Sequence, residues 1–150
     1  MLMEMGRRAR TASKILALAS TEAKNKTLLT LANLLESSRA EVLTANSQDV
    51  SAAASNGLSE AMIDRLRLNE KRLDSLASDL RHLAELPDPV GEHFDETTLP
   101  NGLHLRKQRV PIGVMGVIYE SRPNVTMDVA GLAIKTGNGA ILRGGSETIH

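Results

Sequence analysis

The chain has no cysteine and no tryptophan, and its aromatic content is 1%, with Phe94 and Tyr119 the sole members. Without cysteine there is no disulfide framework, no thiolate zinc site and no thiol nucleophile within these residues. Unpaired bases would find almost nothing to stack on. Charge of one sign is also missing: eighteen basic residues balance eighteen acidic ones, so no net field draws nucleic acid or an anionic membrane. Neither partner is expected. The opening MLMEMGRRAR lacks a signal peptide's apolar stretch, and no run approaches the ~20 residues that span a bilayer. A cytoplasmic location is expected by default.

What is present suffices for a folded domain. At 41% hydrophobic and 24% charged the composition is that of an ordinary globular protein. A chain of 150 residues can bury roughly 70% of the surface its unfolded form exposes.

From about Arg7 to Glu85 the pattern is helical. One helix ends near Ser20, and Thr21 with Glu22 offers the N-cap and first-turn acid of the next. Leu28, Leu31, Ala32 and Leu35 form its apolar stripe, and Ser38 with Glu41 reads as a capping-box start for a third. Asn56-Gly57 supplies left-handed residues that stop it. A short helix follows around Met62 to Leu66. Asn69 caps a last one, in which Leu73, Leu76, Ala77, Leu80 and Ala84 recur at helical spacing until Pro87 and Pro89 end it. Nothing among these helices forms a chemical constellation, so they read as scaffold. His82 has neither a neighbouring carboxylate nor a second histidine at ligand spacing, and reads as a solvated position; no metal site is expected.

Between Gly91 and Val110 a hairpin is expected, with Asn101-Gly102 as a tight type I′ turn before the alternating Leu103 to Lys107. Its cluster of Arg106, Lys107 and Arg109 reads either as a binding patch or as an edge protected by charge.

Beyond Val110 glycine becomes dense: seven of the eleven glycines fall between residues 113 and 145, so backbones approach closely there. Gly113 to Tyr119 is apolar without alternation, as in a parallel strand covered on both faces. Pro123 fits the first turn of a helix running to Lys135, which Gly137 to Gly139 end, and Ala140 to Leu142 form a second strand. Strand, crossover helix and strand make a right-handed βαβ unit, and ligands of open parallel sheets bind beyond the strands' carboxyl ends. Those ends are Glu120 to Asn124 and Arg143 to Glu147. With glycine-freed amides, a helix N-terminus and two arginines, they suit a phosphate-bearing ligand. Neither G-x-G-x-x-G nor G-x-x-x-x-G-K-[ST] is present, and a purely structural βαβ unit stays open on spacing alone.

VPIGVMGVIYESRPNVT followed by KTGNGAILRGGSE resembles the aldehyde dehydrogenase superfamily, and YESRPNVT, ILRGGSE, NSQDV, NGLSEAMIDRL and LPDPVGE are similar to its γ-glutamyl phosphate reductase family. The resemblance covers essentially the whole chain. It implies an α/β, aldehyde-dehydrogenase-like fold: a helical part of the cofactor domain over residues 1–90, a hairpin arm over 91–110 and the first strand-helix-strand of a Rossmann-like sheet over 111–150. It implies an N-terminal portion of an enzyme that reduces glutamyl 5-phosphate with NADPH in proline biosynthesis. A cysteine that this chain lacks would carry the covalent step downstream.

Carried over by resemblance, Arg143 takes the position of a lysine that contacts the adenosine ribose, where arginine suits the 2′-phosphate of NADP. Gly144, Gly145 and Ser146 would admit the cofactor's phosphates. Ser146 or Glu147 would fill an acidic position, and Glu120 and Ser121 would line the groove. The superfamily's oxyanion-donating asparagine aligns with Arg122, and the nearest asparagine is Asn124. Asn124 is therefore either that donor or an ordinary helix N-terminal residue, and Arg122 is an anion contact for substrate or phosphate. The resemblance also implies a homo-oligomer through the hairpin, and glutamate 5-kinase as a partner. Two competing readings are a stand-alone helical interaction module and a regulatory domain that binds nucleotide without reacting.

Overall fold

The structure, a computed structural model, describes residues 2–149; Met1 and His150, the outer bounds of the expected segments, lie outside them. Five helices come first: α1 (Leu2–Leu16), α2 (Thr21–Ser37), α3 (Arg39–Ser55), α4 (Glu60–Leu66) and α5 (Glu70–Glu85). The antiparallel pair β1 (His93–Thr98) and β2 (His104–Gln108) follows, then β3 (Val114–Ile118), α6 (Pro123–Lys135) and β4 (Gly139–Arg143).

The apolar stripes of α2 and α5 meet as their spacing predicts. Leu28, Ala32 and Leu35 pack on Leu73, Leu76, Ala77, Leu80 and Ala84, with Met127 and Ile134 of α6 closing over them. Leu28 and Leu73 are fully buried, each contributing about 1.5–3 kcal/mol relative to an exposed side chain. α6 can lie this close because Gly131 faces α5: a Cβ there would sit 2.9 Å from Leu80 Cδ2.

Asn69 caps α5 as expected, its side chain accepting from the Arg72 amide at 2.8 Å. Two other caps differ from the sequence reading. Ser20, not Thr21, is the N-cap of α2: its backbone is extended and its Oγ accepts from the Ala23 amide at 3.1 Å. Thr21 is already helical, and its hydroxyl donates to Asp88 at 2.8 Å. Ser38 forms no capping box, because its backbone (φ −94°, ψ 12°) stays near helical and its side chain makes no cap hydrogen bond. At Asn56-Gly57 only Gly57 is left-handed.

The hairpin turn is also a correction. Gly102 has φ +83° whereas Asn101 does not have positive φ, so a type I′ turn is excluded. Leu99 accepts from the Gly102 amide and donates to the Leu103 carbonyl, both at 2.9 Å. That is a three-residue loop in which Pro100, with its fixed φ, opens the turn and Gly102 closes it. Every residue of β2 is exposed, so the hairpin stands off the body. Of its three basic residues, Lys107 pairs with Asp95 at 2.8 Å and Arg109 with Glu92 at 2.6 Å, both over the Phe94 ring. This internal pairing accounts for two of the three charges without a ligand. His82 is exposed, as expected, but does have a carboxylate nearby, Glu85 at 3.7 Å one turn on.

β3 and β4 pair in parallel, from Val114↔Gly139 to Ile118↔Arg143. α6 begins at Pro123 and ends through Gly137 (φ +69°), with Asn138 N donating to Ala133 O at 2.8 Å and Gly137 N to Ile134 O at 3.1 Å. Asn138 Oδ1 then accepts from the Gly113 amide at 2.8 Å, locking the entries of both strands together. β3 is not covered on both faces by the described residues: Ile118 is 81% exposed, because only α1 and α6 flank this sheet and no third strand pairs with it.

Candidate functional site

Parallel pairing brings the carboxyl ends of β3 and β4 to one edge, and Tyr119 N donates to Arg143 O at 3.1 Å across it. After Tyr119 the chain turns sharply: Arg122 N donates to Glu120 O at 2.6 Å, and Pro123 starts α6 immediately. This turn drives Ser121 inward, where it is buried and its Oγ donates to Glu147 Oε1. Ser146 Oγ donates to the other oxygen of the same carboxylate at 3.1 Å. The second loop is anchored from below by Ile149 N, which donates to Asp49 of α3 at 3.2 Å.

The structure therefore brings Ser121, Arg143, Gly144, Gly145, Ser146 and Glu147 together, with exposed Glu120 beside them. A Cβ at Gly145 would displace the Glu147 carboxylate from its place against Ser121. Arg143 is exposed, and its guanidinium donates to Gly144 O at 3.1 Å, with its remaining N–H groups unpartnered among the described residues. The hydrogen bond from Ser121, more than the desolvation opposing it, holds the Glu147 carboxyl below its ordinary pKa, helped by Ser146 and the charge of Arg143. A carboxylate held this way contributes stability above the ordinary glutamate pKa and loses it as pH falls through the lowered value. Ser121→Ala is therefore expected to raise the Glu147 pKa; carboxyl ¹³C titration with and without the serine checks this, and an unchanged midpoint would refute it.

Arg122 and Asn124 are not part of this edge. They line a separate cleft between α4, α5 and the start of α6, with a volume of about 330 Å³. Asn124 Nδ2 donates to Asp128 Oδ2 at 3.4 Å, within its own helix. Arg65, Arg67, Arg72, Asp64, Asp79 and Asp128 share the cleft. The scaffold reading missed these helix residues, and no sequence signal marks them, because α4, α5 and α6 converge only through tertiary packing.

A second feature escaped the sequence reading. Lys24 and Asp88 form a buried pair at 2.6 Å, and Asp88 also accepts from Thr21 Oγ1 and the Val90 amide. Nearby, buried Lys135 donates to Asn25 Oδ1 at 2.8 Å and Ala84 O at 3.0 Å, and burial lowers its pKa. These groups tie α2, α6 and the segment after α5 together. Among the described residues no cluster of three or more His, Cys, Asp or Glu could hold a metal ion, and no helix is long and apolar enough to cross a membrane.

No protein-family model matches the chain. Curated relatives do: the γ-glutamyl phosphate reductase of Opitutus terrae is 58% identical over 97% of this chain, and that of Pectobacterium carotovorum 55% over 99%. The chain spans 34% and 36% of the lengths of these two proteins. Two crystal structures of γ-glutamyl phosphate reductase superpose with a TM-score of 0.93. That from Thermotoga maritima is 44% identical, with 98% of this chain and 36% of that one covered. That from Saccharomyces cerevisiae is 34% identical, with 97% and 37% covered. The fold is thus that of the corresponding part of these reductases. The similarity runs through the helical half and the strand-helix-strand unit alike.

Proposed function

We propose that this chain is the N-terminal portion of a γ-glutamyl phosphate reductase, and that its two strand-end loops hold NADPH. One observation carries the cofactor assignment: parallel pairing of β3 and β4 joins both loops at one sheet edge through Ser121 and Glu147. The residues fit such a ligand. Glu147 accepts two serine hydroxyls, the acceptor chemistry that ribose hydroxyls require, and the exposed Arg143 guanidinium suits a 2′-phosphate. Gly144 and Gly145 admit the pyrophosphate, Ser146 is a hydroxyl donor beside it, and Glu120 and Ser121 wall the groove. When bound, the nicotinamide supplies a hydride; these residues orient the cofactor.

On this reading the thiol that displaces phosphate from the glutamyl 5-phosphate lies outside these residues, since the chain has no cysteine. Arg122 contacts an anionic group of the substrate, and Asn124 is the candidate oxyanion donor. Residues 1–90, 91–110 and 111–150 are respectively the helical part of the cofactor domain, an oligomerisation arm and the opening of the cofactor sheet; the exposed hairpin supports the second of these. A cytoplasmic homo-oligomer working beside glutamate 5-kinase completes the proposal. The full-length protein, given NADP, phosphate and glutamate 5-semialdehyde, is expected to form NADPH in a phosphate-dependent reaction followed by nicotinamide absorbance. Absence of phosphate dependence would sink the reading.

A further inference from the structure

We propose that the cleft between α4, α5 and the start of α6 receives the α-amino-acid head of the substrate, with arginines taking its carboxylate and the Asp79–Asp128 pair its ammonium. The inference rests on the reductase reading and says which residues select the substrate.

The cleft, at about 330 Å³, falls at the small end of the range for small-molecule sites. One ion pair is internal to the cleft, Arg72 with Asp64: Arg72 donates to the backbone carbonyls of Asp64, at 2.6 Å, and Arg67, and its guanidinium faces the Asp64 carboxylate at 3.3 Å. It thereby holds the α4–α5 connection that presents Arg65 and Arg67. The guanidinium groups of Arg65, Arg67 and Arg122 have no partner among the described residues. Guanidinium groups match a carboxylate's two oxygens with paired donors.

The acidic side of the cleft is complementary. Asp128 is half-buried, and its one hydrogen bond, from Asn124, is long at 3.4 Å. Burial first, and then repulsion from Asp79, raises its pKa. No cation of the described residues pairs with either aspartate, whereas an ammonium placed between them would relieve the repulsion. An amino-acid head carries both missing charges on one carbon.

Position agrees with this assignment. Arg122, which lines the cleft, directly follows Ser121, which faces the Glu147 edge, and Asn124 lies in the first turn of α6 just beyond, so one short segment serves both the cleft and the proposed cofactor groove. A glutamyl chain bears its charged head and its acyl group at opposite ends. A head seated in the cleft leaves the acyl carbon toward the groove.

The test uses the full-length enzyme in the oxidative direction, comparing kcat/KM for glutamate 5-semialdehyde with that for 5-oxopentanoate, which lacks the ammonium, and 4-aminobutanal, which lacks the carboxylate. Asp79→Asn with Asp128→Asn is expected to cut the preference over 5-oxopentanoate by about 30-fold, through KM, with the KM for NADP unchanged. Arg65→Gln with Arg67→Gln should do the same for the preference over 4-aminobutanal. Because Arg65, Arg67 and Asp79 are exposed, Asp128 is half-buried and the cofactor KM reports an intact fold, equal losses on all substrates, or retained discrimination, would overturn the inference while leaving the reductase standing. A wild-type enzyme that turns over none of the three would remove both.

Discussion

Asp88→Ala is expected to lower folding stability by about 3–5 kcal/mol, measured as a fall in denaturant midpoint without a change in slope. The side chain of Lys24 is 1% exposed and that of Asp88 9%, so removing the acid leaves an ammonium that water cannot reach. Lys135, also buried, loses the negative charge of Asp88 that opposes the effect of its burial. Burial by itself would raise the pKa of Asp88, but hydrogen bonds from Lys24, the Val90 amide and Thr21 outweigh that and hold it below the ordinary value. Its stabilisation is therefore complete above the ordinary aspartate pKa and disappears as pH falls through the lowered one. The loss caused by Asp88→Ala should shrink in the same acid range. Replacing the pair together, Lys24→Met with Asp88→Leu, is expected to be much milder than the single change, because no charge is then stranded. If the single and double variants lose the same amount, the buried pair is not what joins α2 to the segment after α5.

Arg143→Ala, in the full-length enzyme, is expected to reduce kcat/KM for NADPH by about 100-fold while changing that for NADH by less than about 3-fold. Arg143 ends β4 with its side chain in solvent and makes one hydrogen bond, to the neighbouring Gly144 carbonyl. Its removal should leave the fold untouched. A 2′-phosphate that loses its guanidinium partner loses a charge-assisted, bidentate contact, which only the phosphorylated cofactor makes. The two cofactors separate this role from a structural one: an equal fall on NADH would assign Arg143 to holding the loop, and no fall on either would remove it from the cofactor site.

The elements themselves were legible from residue patterns. Leu73, Leu76, Ala77, Leu80 and Ala84 share one face of α5 because their spacing follows the helical turn, and all five are buried. Pro123 and Gly137 bound α6 for reasons local to the backbone, a fixed φ without an amide and a left-handed cap. The strand-end edge was legible too, since right-handed parallel connection places both carboxyl ends together whatever the side chains. Errors arose where two local solutions compete within a residue or two. Ser20 or Thr21 could cap α2, and the tie is broken by Asp88, sixty-seven residues from Thr21, which takes the threonine hydroxyl. Pro100 shifted the hairpin from a two-residue to a three-residue loop.

By itself, then, the sequence determined the helices, the hairpin, the βαβ unit and the sheet edge that gathers both strand-end loops, because each depends on periodicity, backbone freedom or handedness. Only the tertiary structure decided that Ser121 turns inward to Glu147 while Arg122 and Asn124 turn to another cleft. It also decided that Lys24 and Lys135 are buried close to the half-buried Asp88, and that arginines of α4 and its exit face aspartates of α5 and α6. Those arrangements bring together residues dozens of positions apart, and their energies depend on burial and charge separation, which exist only once the helices have packed.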